Sequence, residues 1–324
     1  MTRYEQWQAD DFQAEALEWA DARLGDLDRH REGSPTWSRV RPWGLVMSLP
    51  TADGQVWFKA VPENSAEAVL HGVLADEAPD NVAPLLGQDE DRGWLLLADV
   101  GLSLGDGTEE DEVGALYAGQ GFRTAMAAYA SLQDRVTHRI QELVDRGLPD
   151  ARPQAMPGVF DLLHESLLRS ATDADDAHAI AVLERIATAR PRVVDLAARL
   201  DGAASVDHND LHPWNVMRGP GPVFLDWGDA MASHPYASLL VPVRIALMDS
   251  RQSAEVVLEA YEEGAGAPLD LEALDAALRL AVVARAWTWH RSIASSPGPT
   301  DYDDAALKWF ERILDPSPLM ADRD

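Results

Sequence analysis

Two neighbouring stretches constrain this chain more than anything else in its 324 residues: His208-Asn209-Asp210-Leu211-His212-Pro213-Trp214-Asn215 and Phe224-Leu225-Asp226-Trp227-Gly228-Asp229-Ala230. They set an aspartate, an asparagine five positions later and a second aspartate eleven beyond that into one segment. The second aspartate closes Pro222-Val223-Phe224-Leu225-Asp226, a short apolar run that reads as a strand.

Phosphoryl transfer from ATP needs such a set. One carboxylate accepts the proton of the acceptor hydroxyl, while an amide oxygen and a second carboxylate hold magnesium against the phosphates. The spacing Asp-x-x-x-x-Asn, followed by Asp-aromatic-Gly, matches the catalytic-loop and metal-aspartate signatures of kinases. The two stretches resemble the aminoglycoside phosphotransferase and choline kinase-like family of small-molecule kinases, which typically reads His-Gly-Asp-Leu-His-Pro-Gly-Asn and then Ile-Asp-Trp-Gly-Asp-Ala. Here Asn209 and Trp214 stand in place of glycines and Leu225 in place of isoleucine, while Asp210, Asn215 and Asp226 are retained. The resemblance implies Asp210 as catalytic base, Asn215 and Asp226 as magnesium ligands, and His208 as a brace for the loop. Asp229 either braces the metal loop or touches substrate. The family often continues Gly-Asp-Pro-x-x-Asp-Leu; here Ser233-His234-Pro235-Tyr236-Ala237-Ser238-Leu239 lacks both carboxylates.

Of 27 Lys plus Arg, Lys59 and Lys308 are the only lysines. Lys59 sits in Gln55-Val56-Trp57-Phe58-Lys59-Ala60-Val61, an aromatic and β-branched run that reads as a buried strand. Alone, it reads better as a strand-edge lysine reaching water. Beside the downstream motif it reads as the lysine that pairs ATP phosphates and a helix glutamate. Glu67, in the first turn of a helix expected over 64–77 and capped by Asn64 or Ser65, is the candidate partner, with Glu63 and Glu77 as alternates. Glutamate there also suits the helix dipole. Trp94-Leu95-Leu96-Leu97-Ala98-Asp99-Val100-Gly101 reads as a central strand and tight turn. By the resemblance, the Ala98 carbonyl and Val100 amide bind the adenine edge. The phosphate-covering hairpin, Arg39 to Val46, carries one glycine, and no Gly-x-Gly-x-x-Gly or P-loop pattern occurs, which disfavours Rossmann and P-loop folds.

The net charge of −28 argues against a nucleic-acid partner, whose phosphates favour a basic surface, and is compatible with steering a cationic substrate. The run Glu109-Glu110-Asp111-Glu112 reads as a solvated helix start. There is no cysteine, hence no disulfide framework or cysteine-bound zinc. No apolar run approaches the roughly 18 residues that span a bilayer, so no membrane association is expected. The polar N-terminus does not read as a secretory signal, and a cytoplasmic location is expected.

A helix is expected over 4–30, short strands near 37–41, 44–49 and 55–61, and helices near 109–146, 156–171, 174–200, 234–249, 252–264, 270–294 and 301–314 with a proline-rich break at 296–299. The fold class is α+β, bilobal and protein-kinase-like. Residues 1–98 form a nucleotide-binding lobe with a small antiparallel sheet, 99–105 a hinge, and 106–324 a large, mostly helical lobe with the catalytic and acceptor sites. The expected activity is an ATP- and magnesium-dependent phosphotransfer, with GTP an alternative donor, to a hydroxyl of a small molecule such as an aminoglycoside, amino sugar or amino alcohol. Trp287, Trp289 and His290 either border the acceptor or anchor the core. Two other classes compete. A metal-dependent hydrolase would use His208, Asp210 and His212, projecting to one side of a strand. A non-catalytic kinase-like binding protein would not need Lys59, Asp210, Asn215 and Asp226 together.

Overall fold

A computed structural model describes residues 3–62, 65–109, 112–200, 202–294 and 301–319. Helices α1 (Arg3–Gln8) and α2 (Asp10–Asp26) open the chain. The single helix expected over 4–30 is interrupted at Ala9, whose ψ of 136° is extended. Strands β1 (Thr36–Arg41), β2 (Gly44–Thr51), β3 (Gly54–Ala60), β4 (Leu85–Asp89) and β5 (Trp94–Ala98) form an antiparallel sheet in the order β1-β2-β3-β5-β4. Helix α3 (Glu67–Glu77) lies between β3 and β4 in the chain.

The two-residue period of a strand sets the roles of the sheet's faces. Val56, Phe58 and Ala60 of β3 are buried beneath α2, whose Ala16, Ala20 and Leu24 recur at helical spacing and are fully buried. Trp19 and Phe12 of α2 close this core edge-on against Phe58 and Trp94. The intervening residues Trp57 and Lys59 therefore project from the opposite face, toward the cleft. β4 was not expected: Leu85-Leu86-Gly87-Gln88-Asp89 lacks alternation and is half-buried throughout, and its pairing with Trp94–Leu97 makes it a strand.

The remainder is largely helical: α4 (Val113–Ala118), α5 (Gln120–Val136), α6 (Ile140–Asp145), α7 (Met156–Asp173), α8 (Ala177–Ala187) and α9 (Arg190–Arg199). Strands β6 (Ser205–Asp207), β7 (Val216–Met217), β8 (Val223–Phe224) and β9 (Met231–Ser233) follow, then α10 (Leu240–Asp249), α11 (Arg251–Ala265), α12 (Leu271–Ile293) and α13 (Ala305–Glu311). Several expected helices are shorter. The one over 109–146 breaks at Gly119, which is extended, and again at a 3-10 turn, Thr137–Arg139. The one over 174–200 breaks at Thr188 and Ala189, after which Pro191 takes the first turn of α9, where a missing N–H costs least. The one from 234 begins at Leu240, after a 3-10 turn over Pro235–Leu239. The helix beginning at Glu67 is shorter than 64–77, although Ser65 Oγ does accept the Glu67 amide. Glu63, Asn64, Glu110, Asp111 and the break at 296–299 lie outside the described residues. Among the described residues, no helix is long and apolar enough to cross a membrane.

A second core joins α3, through Val69, Leu70, Val73 and Leu74, to α5, α7, α11 and α12. Helices α11 and α5 approach so closely at Gly264 that a Cβ there would collide with the Ala127 backbone. Alanine favours a helix over glycine by about 1 kcal/mol, but overpacking costs about 1–3 kcal/mol, and backbone cannot yield as a side chain can. Gly264→Ala is thus expected to lower Tm by calorimetry. Gly158→Ala in α7, where a Cβ meets open space, should raise it or leave it unchanged.

Candidate active site

The motif residues are held by two short strand pairs. β6 pairs with β9, and β7 with β8. Residues 208–215 leave β6, and Asp226 comes two residues after β8, so the expected strand over 222–226 is reduced to Val223–Phe224. Beneath the loop, a chain of buried hydrogen bonds holds the backbone, although Asp207 Oδ2 and His208 Nδ1 stay without a partner among the described residues. Tyr129 donates to the Val206 carbonyl at 2.9 Å and accepts the His208 amide at 2.9 Å. Asp207, 1% exposed, accepts the Asn209 amide and the Ser238 hydroxyl, both at 2.8 Å, and burial pushes its carboxyl up to about 6. Ser238 thus supports this loop at a place where the family often has a carboxylate. His234 accepts the Tyr236 amide and caps the following turn. The His208 ring bonds the Leu225 carbonyl at 2.9 Å and lies 4.6 Å from the Trp227 ring, an arrangement that ties the two halves of the motif.

Lys59 Nζ lies 2.6 Å from Glu67 Oε1 and 2.6 Å from Asp226 Oδ1. Burial opposes its charge, but the Asp226 and Glu67 carboxylates outweigh that and hold the ammonium above its ordinary value. Lys59 in turn holds Asp226 low, against burial, while burial keeps Glu67 raised despite Lys59. Gly228 makes room here, since a Cβ on it would stand 3.2 Å from Glu67 Oε2. Of the alternates to Glu67, Glu77 is instead bonded by Arg139 at 2.9 Å. Asp226 has φ of 62°, a left-handed conformation that aspartate and asparagine tolerate better than most residues.

Asp210 is clasped from two sides. Arg285 Nη2 donates to Oδ1 at 2.8 Å, and His212 Nε2 lies 3.2 Å from Oδ2. Burial works to raise this carboxyl, but the His212 hydrogen bond and the Arg285 charge prevail and hold it far below the usual carboxylate range. Asn215 Nδ2 donates to the Asp210 carbonyl at 3.0 Å, which turns its Oδ1 the other way. Asn215 and Asp226 therefore offer an amide oxygen and the Oδ2 carboxylate oxygen to one cleft, a donor set that fits magnesium completed by phosphates and water.

That cleft has a volume of about 840 Å³. Residues Leu97 to Gly101 line it, Ala98 and Val100 included, and Trp57 Nε1 fixes this turn by donating to Asp99 Oδ1 at 2.7 Å. Opposite stand Asp229, Arg285, Thr288, Trp289 and Arg291. Burial, and secondarily the charge of Asp210, push Asp229 up to about 7. Trp289 faces the cleft and stacks on Tyr302 at 5.2 Å, with Trp43 of the β1–β2 hairpin edge-on to the same tyrosine. Trp287 packs against the helical core and His290 bonds Ser166 at 2.9 Å, so of that expected aromatic group Trp289 alone lines the cleft.

The hydrolase reading loses its premise. Residues 208–212 form a turn rather than a strand, with Asn209 at φ of 60°, and His208 is fully buried against Leu225. Among the described residues, no group of three or more His, Cys, Asp or Glu is arranged to hold a metal ion.

The parts played by Arg285, Asp207 and Tyr129 escaped sequence reasoning. Arg285 left one trace, a charge interrupting the apolar run Leu280-Ala281-Val282-Val283-Ala284-Arg285-Ala286. A buried arginine needs a partner, but nothing local points to one 75 residues away.

A five-stranded antiparallel sheet over a helical body, with a lysine–glutamate pair and an Asp/Asn/Asp loop meeting between them, is the architecture of the protein-kinase-like phosphotransferases. The family model for the phosphotransferase enzyme family matches residues 66–277, and the chain belongs to that family. No curated protein matches it by sequence. Three solved structures share the fold. A macrolide 2'-phosphotransferase from Brachybacterium faecium is 16% identical, with 93% of this chain and 98% of that chain covered and a TM-score of 0.59. A choline kinase from Streptococcus pneumoniae is 12% identical, with 92% and 97% covered and a TM-score of 0.57. A Plasmodium vivax ethanolamine kinase is 11% identical, with 87% and 82% covered and a TM-score of 0.62.

Proposed function

We propose that the protein transfers the γ-phosphoryl group of ATP to a hydroxyl of a small molecule, with Asp210 as the base. One observation carries this reading: Lys59 reaches both Glu67 and Asp226 at 2.6 Å in the cleft that Asp210 and Asn215 also line. Residues 1–98 act as the nucleotide lobe, 99–105 as the hinge and 106–324 as the lobe that carries base and acceptor. The Ala98 carbonyl and Val100 amide hold the purine edge. Such backbone contacts do not exclude GTP as donor. Lys59, oriented by Glu67, meets the phosphates. Asn215 and Asp226 hold magnesium, which when bound neutralises charge on the phosphates. Asp210 orients the acceptor hydroxyl and takes its proton as transfer proceeds. A carboxylate held low is a weak base, which suits a reaction in which the proton leaves late and positioning dominates.

The acceptor wall bears on the substrate. Arg285 and Arg291 face the cleft there beside Asp210 and Asp229, and Arg285 already answers Asp210. A wall of balanced charge suits an acceptor with at most one cationic centre, such as an amino alcohol or a macrolide sugar, better than a polycation.

The test is a thermal-shift titration with ATP and GTP, each with magnesium or with zinc. Stabilisation grows with the logarithm of ligand concentration over Kd. A magnesium-dependent upshift with a nucleotide is expected. No nucleotide effect beside an upshift with zinc would overturn the reading.

A further inference from the structure

Arg285 belongs to neither motif stretch, yet it grips the catalytic loop at two adjacent residues. From α12, with 8% of its surface exposed, it donates through Nη1 to the Asn209 carbonyl and through Nη2 to Asp210 Oδ1 at 2.8 Å. The Trp309 ring lies 5.4 Å from the guanidinium. One turn further along α12, Thr288 Oγ1 accepts Asn209 Nδ2 at 2.7 Å. Asn209 stands at φ of 60°, where the sequence departs from the glycine of the related pattern. The departure is not idle: the side chain that glycine lacks is the one tied to Thr288. Helix α12 thus fastens the residue before Asp210 by backbone and side chain, and Asp210 itself by its carboxylate.

The two carboxylate oxygens are not equivalent. Oδ1 is taken by a charge-assisted bond at 2.8 Å. Oδ2 has looser contacts, His212 Nε2 at 3.2 Å and Asn215 Nδ2 at 3.5 Å. Each carboxylate oxygen has about two acceptor directions, and on Oδ2 the 3.5 Å contact is the weak one, because Asn215 Nδ2 already donates to the Asp210 carbonyl at 3.0 Å; a hydroxyl donor can take that direction. We propose that Arg285 is the positioning residue of the reaction: it fixes the Asp210 carboxylate through Oδ1 and so presents Oδ2 to the acceptor hydroxyl. Alignment of the base is set by α12 rather than by the loop alone. The inference rests on the reading of Asp210 as base.

A guanidinium spans two acceptors in a fixed plane, whereas an ammonium is a point charge. Two measurements on the full chain test this. The first needs no nucleotide: ¹⁵N NMR of arginine side chains. Hydrogen-bonded Nη groups rotate slowly and give a resolved set, which is expected in the wild type, absent in Arg285→Lys, and reduced to the group held by the Asn209 carbonyl in Asp210→Ala. The second is turnover with magnesium and ATP on whichever of choline, ethanolamine, erythromycin and water reacts fastest. Misplacing a reacting group by about 1 Å costs on the order of 100-fold. Arg285→Ala is expected to lower kcat by about that factor, leave KM for ATP unchanged, and recover in part with added guanidinium ion. Arg285→Lys should fall between. If Arg285→Ala does not fold, Arg285→Lys and Arg285→Gln carry the same comparison. Wild-type kcat in the Arg285 variants overturns the inference alone, provided Asp210→Asn is inactive. A loss that guanidinium does not restore, with KM for ATP rising in step, assigns Arg285 a purely structural role and also overturns it. Wild-type turnover in Asp210→Asn overturns the base reading itself, and this inference with it.

Discussion

Asp210→Asn is expected to bind ATP as the wild type does and to lose turnover by about 10²–10⁴-fold, the range that a positioned general base contributes. The substitution keeps the shape of the side chain. Arg285 Nη2 can still donate to an amide oxygen at the Oδ1 position, and Lys59, Glu67 and Asp226 are untouched. What changes is the ability to take a proton. Nucleotide affinity and steady-state kcat measured on one preparation separate the two effects, and normal turnover would remove Asp210 from the base role.

The second large effect belongs to Asp226. Asp226→Ala should abolish magnesium-dependent nucleotide binding, read by calorimetry with and without the metal. It deletes the carboxylate of the expected ligand pair and leaves Lys59 with Glu67 alone. Because Asp226 holds φ of 62°, alanine also adds backbone strain of about 1–3 kcal/mol. Asp226→Asn is the better companion, since asparagine accepts that conformation and keeps one neutral oxygen. Loss of metal-dependent binding in both variants isolates the ligand effect. Binding unchanged in Asp226→Asn would put the metal elsewhere.

Local signals carried the sequence reading where they coincide with the chemistry. Lys59 was legible because alternation put Val56, Phe58 and Ala60 on the other face of its strand, and because the chain otherwise spends arginine on nearly every cation. Asp210, Asn215 and Asp226 were legible as residues of one cleft because they follow β6 and β8 at a fixed spacing. Glu67 was legible as a first-turn acid of α3, although the helix begins later than its apolar pattern suggested. Boundaries failed where a 3-10 turn replaced helix, as over Pro235–Leu239, since the two share composition. β4 failed because its only instruction is the neighbour it pairs with. Arg285 failed for the same reason in another form. Its partner is fixed by how α12 packs, and packing leaves no periodicity to read.

The Lys59 bridge has a consequence for how the molecule comes apart. The lysine stands on a strand whose apolar face belongs to the core under α2, whereas the helix of Glu67 is built into the larger helical core, as is Phe224 just before Asp226. The bond therefore ties one folding unit to another, across 167 residues of chain. Contacts between residues so far apart in the chain form late in folding. Under mild denaturant this tie is expected to go while each core still keeps its own packing, so that activity falls before far-UV circular dichroism does. The chain can then hold nearly all of its secondary structure and no working site, so its activity measures the docking of two units more than the integrity of either.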